Sequence, residues 1–252
     1  MRFSLFRTCL ILLFLVNQTA RAQSIDSSVK VNGDLGLGES YSPTPARSQS
    51  PSSHLVPYAN FDYGNLFGRI DTFGVRSLPV GYGNLELVTR FIDEGYIPTA
   101  TASGYFDQRK SSIPVGVGTL QVSPWGGVLL NAFHDLNRSG GNLVDLTFAE
   151  EIDWQNFAIY PEFGAEYRSQ NYVRYFYGIS NAEATRTGAV PYQPGAATNL
   201  FVDLLVEAKI SSNWYINFNG RRSRLGNAIS DSPLVMRHLN NSVLVALSYR
   251  FE

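Results

Sequence analysis

The side chains able to carry acid–base or nucleophilic chemistry are few. Three histidines occur, His54, His134 and His238, and no two stand at i, i+2 or i, i+4. Metal centres draw on clustered ligands, and no Asp or Glu pair completes a set around any of the three. His134-Asp135 followed by Ser139 holds the residue types of a Ser–His–Asp relay. Neighbours on a strand point to opposite faces, so Asp135 cannot orient His134 directly; a polar strand end entering "LNRSGG" is the plainer reading. Glu162, Glu166, Asp203 and Glu207 offer the paired carboxylates used in glycoside hydrolysis. The Gly-bearing stretches "GGVLLN" and "GLGES" do not run on into helices, which a phosphate-cradling loop requires. No cofactor is expected.

The elements that must position these residues repeat with a period of two. In residues 199–210 the face Leu200, Val202, Leu204, Val206, Ala208, Ile210 is wholly apolar, and Asn199, Asp203, Glu207 and Lys209 lie opposite. Residues 157–168 set Phe157, Ile159, Pro161, Phe163, Ala165 and Tyr167 against Tyr160, Glu162, Glu166 and Arg168. Near the end Val243, Val245, Leu247, Tyr249 and Phe251 oppose Ser242, Ser248 and Arg250. A helix would scatter these charges around its circumference, so they predict strands. Weaker runs lie at 29–37, 55–63, 66–72, 74–80, 84–93, 112–122, 125–135, 142–153 and 213–224. No segment reads as an amphipathic helix, and the expected class is all-β.

The N-terminus is expected to be an address. Arg2 and Arg7 precede a short apolar run, Thr8–Val16, and Ala20-Arg21-Ala22 forms a cleavage site before Gln23. About nine apolar residues are too few for a spanning helix, which needs roughly 20. Residues 1–22 therefore read as a signal peptide and 23–252 as one mature domain. Cleavage between Ala22 and Gln23 removes Cys9, the only cysteine, so a disulfide-stapled module, a thiol enzyme and a Cys-ligated metal site are all excluded. It also removes Arg2, Arg7 and Arg21, which takes the formal charge from −1 to −4. A mildly acidic chain lacks the basic face that nucleic acid requires.

Alternation fits a soluble sandwich or a membrane barrel. Three features favour the barrel. The runs of about 9–13 residues match the roughly 9–11 that cross a bilayer at a tilt and exceed the usual 5–6 of soluble sheets. Aromatics gather at run ends, among them Tyr58, Tyr63, Trp125, Trp154, Tyr167, Trp214 and Tyr249, as in interfacial girdles. Short turns at 81–83, 123–124, 154–155 and 211–213 contrast with long loops at 94–111, 169–196 and 225–238, the asymmetry of periplasmic turns and outer loops. Threading predicts a transmembrane antiparallel β-barrel of the outer membrane with 12 strands and both termini in the periplasm, with 10 as the fallback. Twelve requires that 66–80 be a hairpin and that 171–176 extend a strand above the membrane.

Inside such a barrel Glu162, Glu166, Asp203 and Glu207 share a lumen with Arg168, Lys209, Arg221 and Arg250. A charge-compensated network is then a plainer meaning than a glycosidase pair, because buried charges must be paired. Arg221-Arg222-Ser223-Arg224 ends a strand before a long loop and is a candidate contact for lipopolysaccharide phosphates. Outer-membrane lipid and lipopolysaccharide are the expected surroundings.

Several stretches along the mature chain resemble the MipA/OmpV (MltA-interacting protein) family of Gram-negative outer membranes: "GDLGLGES", "VPYANFDYGNLFGRID", "GGNLVDL" and the closing "LSYRFE". The two most specific lie in loops. "YFYGISNAEATRTGAVPYQPGA" carries Tyr177, Gly178, Ser180, Ala184, Gly188, Pro191, Tyr192 and Gly195; "RSRLGNAISDSPLV" carries Leu225, Ser232 and Pro233. Residues 38–54 depart from the family pattern in being richer in Ser and Pro, and Glu252 trails the usual terminal Phe. The resemblance implies an outer-membrane barrel without catalytic residues, similar to a scaffold that joins a murein lytic transglycosylase to a murein synthase. Partner contacts would then fall on the periplasmic turns around Asn84, Pro124, Gln155 and Asn213. The alternatives are a small solute or antibiotic channel and a barrel lipid hydrolase using His134 or His238. Among these options the long loop at 169–196 reads as an ordered cap.

Overall fold

The computed structural model describes residues 30–48, 50 and 52–251; the leader and its cleavage site at Ala22 and Gln23 lie outside the described residues. The strands are β1 (Asn32–Tyr41), β2 (Ser53–Tyr63), β3 (Leu66–Arg69), β4 (Thr72–Val80), β5 (Gly83–Arg90), β6 (Val115–Ser123), β7 (Gly126–His134), β8 (Asn142–Ala149), β9 (Ile152–Trp154), β10 (Phe157–Arg168), β11 (Ala197–Lys209), β12 (Trp214–Arg224) and β13 (Leu239–Phe251). Each pairs antiparallel with its neighbours, and β13 returns to β1, with Leu35 opposite Tyr249 and Leu37 opposite Leu247. The sheet is a closed barrel.

Thirteen strands make twelve staves. β8 and β9 both pair with β10 in one continuous register, from Arg168 opposite Leu143 to Phe157 opposite Trp154. The gap at Glu150-Glu151 faces Pro161, which has no N–H to donate to the ladder. A second proline acts on β4, where the register against β5 slips by one residue between Arg76 and Pro79. There Ser77 Oγ donates to the Leu85 carbonyl at 2.9 Å. Residues 66–80 form a hairpin, as the count of twelve requires, turning at Ile70-Asp71 with Ile70 at φ 57°.

Faces alternate as the period predicts. Leu37, Leu55, Leu87, Phe163, Leu200, Val202, Leu247 and other large apolar residues are exposed on the outer wall, where lipid is the solvent. Asp34, Tyr58, Glu86, Asn131, Asp145, Asn217 and Ser248 are buried on the inner wall. Five inter-strand turns are tight and lie at one end with both termini. The other end carries the loops 42–52, 91–114, 135–141, 169–196 and 225–238, interrupted by the low β3–β4 turn.

Three short helices correct the all-strand reading: α1 (Gln170–Tyr177), α2 (Asn181–Thr187) and α3 (Asn227–Ser230). Residues 171–176 do not extend β10. Tyr172, Val173, Phe176 and Tyr177 recur at the helical spacing of one buried face. Ser169 begins the turn out of β10; its Oγ accepts from the Asn142 N–H at 2.8 Å.

Candidate functional site

The loop end of the barrel is filled by α1. Its buried face belongs to one apolar core with inward residues of five staves, Phe67, Val88, Phe133, Leu143 and Ala197, together with Leu225 and Ile229 from the β12–β13 loop. Tyr172, Val173 and Phe176 are fully buried, and the rings of Tyr172 and Phe176 lie 4.8 Å apart. Burial pushes the Tyr172 and Tyr177 hydroxyls well above the usual phenol range, so both remain neutral. The helix stoppers the mouth.

A second small core sits outside this one and joins four loops: Ala46, Tyr96, Phe106, Ile179, Ala184 and Leu234. Ser180 caps α2, accepting from the Glu183 N–H at 3.2 Å, while Glu183 reaches back to the Ser180 N–H at 3.0 Å. Arg109 Nη2 pairs with Glu183 at 3.0 Å and donates to the Gly178 carbonyl at 2.9 Å. Burial works to raise the Glu183 carboxyl, but the Ser180 N–H, the Arg109 guanidinium and the Asp107 N–H outweigh it, leaving Glu183 below the usual carboxylate range. Arg186 pairs with Asp107 at 2.8 Å. Tyr96 Oη donates to the Phe176 carbonyl at 2.5 Å and so ties the two cores together.

The loop residues singled out from the sequence assemble here. Tyr177 lies in the inner core, and its carbonyl accepts from Ser232 Oγ at 2.6 Å. Leu225 is also in the inner core and Ala184 in the outer. A Cβ on Gly178 would stand 2.4 Å from the Arg174 carbonyl oxygen. Gly188 ends α2 in the left-handed region at φ 72°, where glycine is unstrained. Tyr192 bridges Ile179 and donates to the Ala228 carbonyl at 3.1 Å. Pro191, Gly195 and Pro233 are exposed on its surface.

Below the cap the lumen charges form separate levels rather than one network. At the outer level Arg168 pairs with Glu166 at 2.6 Å and, through Nη1, with Glu94 at 2.7 Å. In the middle, Asn219 donates to Asp203 at 2.7 Å, Arg221 stands 4.0 Å from it, and Glu162 faces Asp203 across the β10–β11 ladder. Toward the turn end Arg250 is shared by Asp34 and Glu207, each at 2.6 Å. Lys209 stands apart: it is exposed at the turn end and has no ion pair among the described residues. On the opposite wall Arg69 forks onto Glu86, and Arg90 pairs with Asp145 at 2.8 Å. Inward aromatics carry the arginines; Arg221 lies 3.5 Å from the Phe201 ring centre and Arg250 3.8 Å from that of Tyr215. Asp34, Glu86, Glu94 and Asp145 were not singled out from the sequence. Asp34, Glu86 and Asp145 are each the lone acid on the inward face of their strand, marked only by that position, and Glu94 follows Asp93 in a loop where alternation gives no guide.

The histidines hold loops. Ser139 Oγ donates to Asp135 at 2.6 Å, and Asp135 also accepts from the Asn137, Arg138 and Ser139 N–H groups. His134 Nδ1 lies 2.6 Å from Asn142 Oδ1, so the three types seen in sequence do not form a relay. His54 Nε2 meets Asp93 at 2.6 Å and fastens the 91–114 loop beside the low β3–β4 turn. His238 is exposed, its carbonyl accepting from the Leu225 N–H at 2.9 Å.

The sequence matches known proteins along most of its length. Residues 35–251 match the family described as MltA-interacting protein MipA. The chain is 25% identical over 221 residues to the putative outer membrane protein YiaT of Escherichia coli K12, covering 86% of this chain and 90% of that one. It is 22% identical over 228 residues to the MltA-interacting protein of the same strain, covering 86% and 89%. Among solved structures it is similar to the outer membrane channel DcaP of Acinetobacter baumannii at 11% identity and a TM-score of 0.29, covering 88% of this chain and 97% of that one. So weak a superposition says nothing about conduction. With a barrel of twelve staves, an apolar outer wall and a family match from the first strand to the last, the chain belongs to the MltA-interacting protein MipA family and is an outer-membrane protein.

Proposed function

We propose that this barrel is a non-enzymatic, non-conducting membrane anchor that serves as a scaffold for murein hydrolases and synthases on its periplasmic side. The observation that carries the reading is the outer mouth: α1 fills it with an apolar core shared with five staves, above levels of ion pairs along the lumen wall. A barrel stoppered in this way is a poor pore and a good rigid platform. The turn end supports the second half of the reading. Tyr82 and Trp125 stand exposed in neighbouring turns, and tyrosine and tryptophan anchor protein interfaces. The relative named for interaction with MltA agrees with it.

Pull-down from detergent extract with a murein hydrolase and a murein synthase tests the reading. Capture is expected from wild type and is expected to fall when the turns around Asn84, Pro124, Gln155 and Asn213 are replaced by Gly-Ser. Undiminished capture by that variant counts against the scaffold. The lumen favours a second reading, a narrow solute channel. Tyr58 Oη, Asn131 Oδ1 and Asn217 Oδ1 are buried on its wall without a protein partner, and water is their natural partner. Planar-bilayer conductance separates the two.

A further inference from the structure

The run Arg221-Arg222-Ser223-Arg224 divides across the barrel wall. Arg221 faces the lumen over Phe201, whereas Arg222 and Arg224, both exposed, belong to the outward face of β12. Arg222 lies between Val202 and Asn241 in the ladder, and Arg224 between Leu200 and Leu239. Neither has a carboxylate within ion-pairing distance among the described residues. Beneath them Gly220 leaves a shallow dip of about 250 Å³ walled by Val202, Leu204, Val243 and Asn241.

Depth decides what such a feature meets. Trp214, at the turn end of β12, packs on Tyr249 with ring centres 5.4 Å apart in the inner girdle. Eight residues at about 3.4 Å each and a tilt of about 40° lift Arg222 about 20 Å above it, near the top of an apolar band of about 25 Å. An unpaired arginine on a lipid face costs about 2–4 kcal/mol at mid-bilayer and about 0–1 near the interface. At that level it meets lipid headgroups of the outer leaflet. Two guanidiniums two residues apart on one strand face offer paired forks that suit phosphate oxygens, and an apolar dip directly below suits the acyl chain of the same molecule.

We propose that Arg222, Arg224 and the Gly220 dip form a binding site for lipopolysaccharide, with a lipid A phosphate on the two arginines and one acyl chain over Gly220. The site faces the bilayer and is independent of the scaffold reading. Purified protein in detergent micelles is titrated with lipid A, with dephosphorylated lipid A and with phosphatidylglycerol, and complexes are counted by native mass spectrometry. Lipid A is expected to bind best. The double change Arg222→Gln and Arg224→Gln is expected to weaken it at least tenfold, and Gly220→Leu several-fold at unchanged charge. Arg174→Gln, at an exposed position on α1, is expected to leave binding as it is. Unchanged affinity in the double variant, or equal affinity for dephosphorylated lipid A, overturns the site; preference for phosphatidylglycerol overturns its assignment to lipopolysaccharide. Heat-modified mobility checks that each variant is folded, and should the double variant not fold, the lipid comparison on wild type and the Gly220→Leu protein decide.

Discussion

The two ends of this barrel are built on opposite plans. The loop end carries five connections, two of which fold into helices, and together they build two apolar cores and buried ion pairs. The turn end has two-residue turns, such as Gly64-Asn65 and Gln155-Asn156, and leaves aromatic side chains in the open. Both ends are made by the same staves, so the wall does not dictate the difference. Closure is written into the loops, where Ser180 and Gly188 bound α2 and Leu225 joins the core of α1. The end left uncommitted by packing is the one free to meet a partner.

That contrast can be broken most sharply at the buried pair that binds two loops. Arg109→Met leaves Glu183 buried without its counter-ion, a loss of about 3–5 kcal/mol for pairs of this kind. Hydrogen exchange is expected to rise across 91–114 and 169–196 while β10 and β11 keep their protection. Phe176→Ala, which empties the centre of the inner core, is expected to cost about 3–5 kcal/mol; limited proteolysis should then cut within 169–196 long before the barrel unfolds in urea. Uniform loss of protection along the staves in either variant would show that cap and wall are one cooperative unit.

Acid offers a gentler opening. The Glu183 carboxyl is held below the usual range, so its contribution is complete above the unfolded value of about 4.3 and is lost as pH falls through the lower folded value. Protection of the 169–196 loop is expected to be flat from neutral pH to about pH 5 and to drop below about pH 4. The drop should be absent in Glu183→Gln. The smallest effect belongs to the low β3–β4 turn, where Ile70 adopts φ 57°. A left-handed conformation costs a side-chain-bearing residue about 1–2 kcal/mol, and Ile70→Gly is expected to raise the urea midpoint of the barrel without altering the cap.

Legibility in the sequence followed the same divide. β10 stands where its alternation put it, residues 157–168, because six outward apolar residues oppose charged inward ones. For β1 the alternation gives 29–37, three residues early at its start and four at its end, since "GDLGLGES" is too rich in glycine for alternation to fix its ends. The helices were hidden for a physical reason. "NYVRYFY" is built of aromatic and β-branched residues that favour strands, and its helical face exists only against the core formed by five distant staves. For α2 a local signal was present in Ser180 and Glu183, spaced as a capping box. The lumen pairs were half legible: Arg250 and Glu207 lie on strongly patterned strands, but Asp34 comes from the other end of the chain and meets them only when β13 closes on β1.

The central claim is that α1 closes this barrel from outside. Planar-bilayer recording on the wild-type protein and on one whose residues 170–194 are replaced by a short Gly-Ser linker tests it directly. A silent wild type and a conducting variant are predicted; a wild type that already conducts as well as the variant would contradict the account.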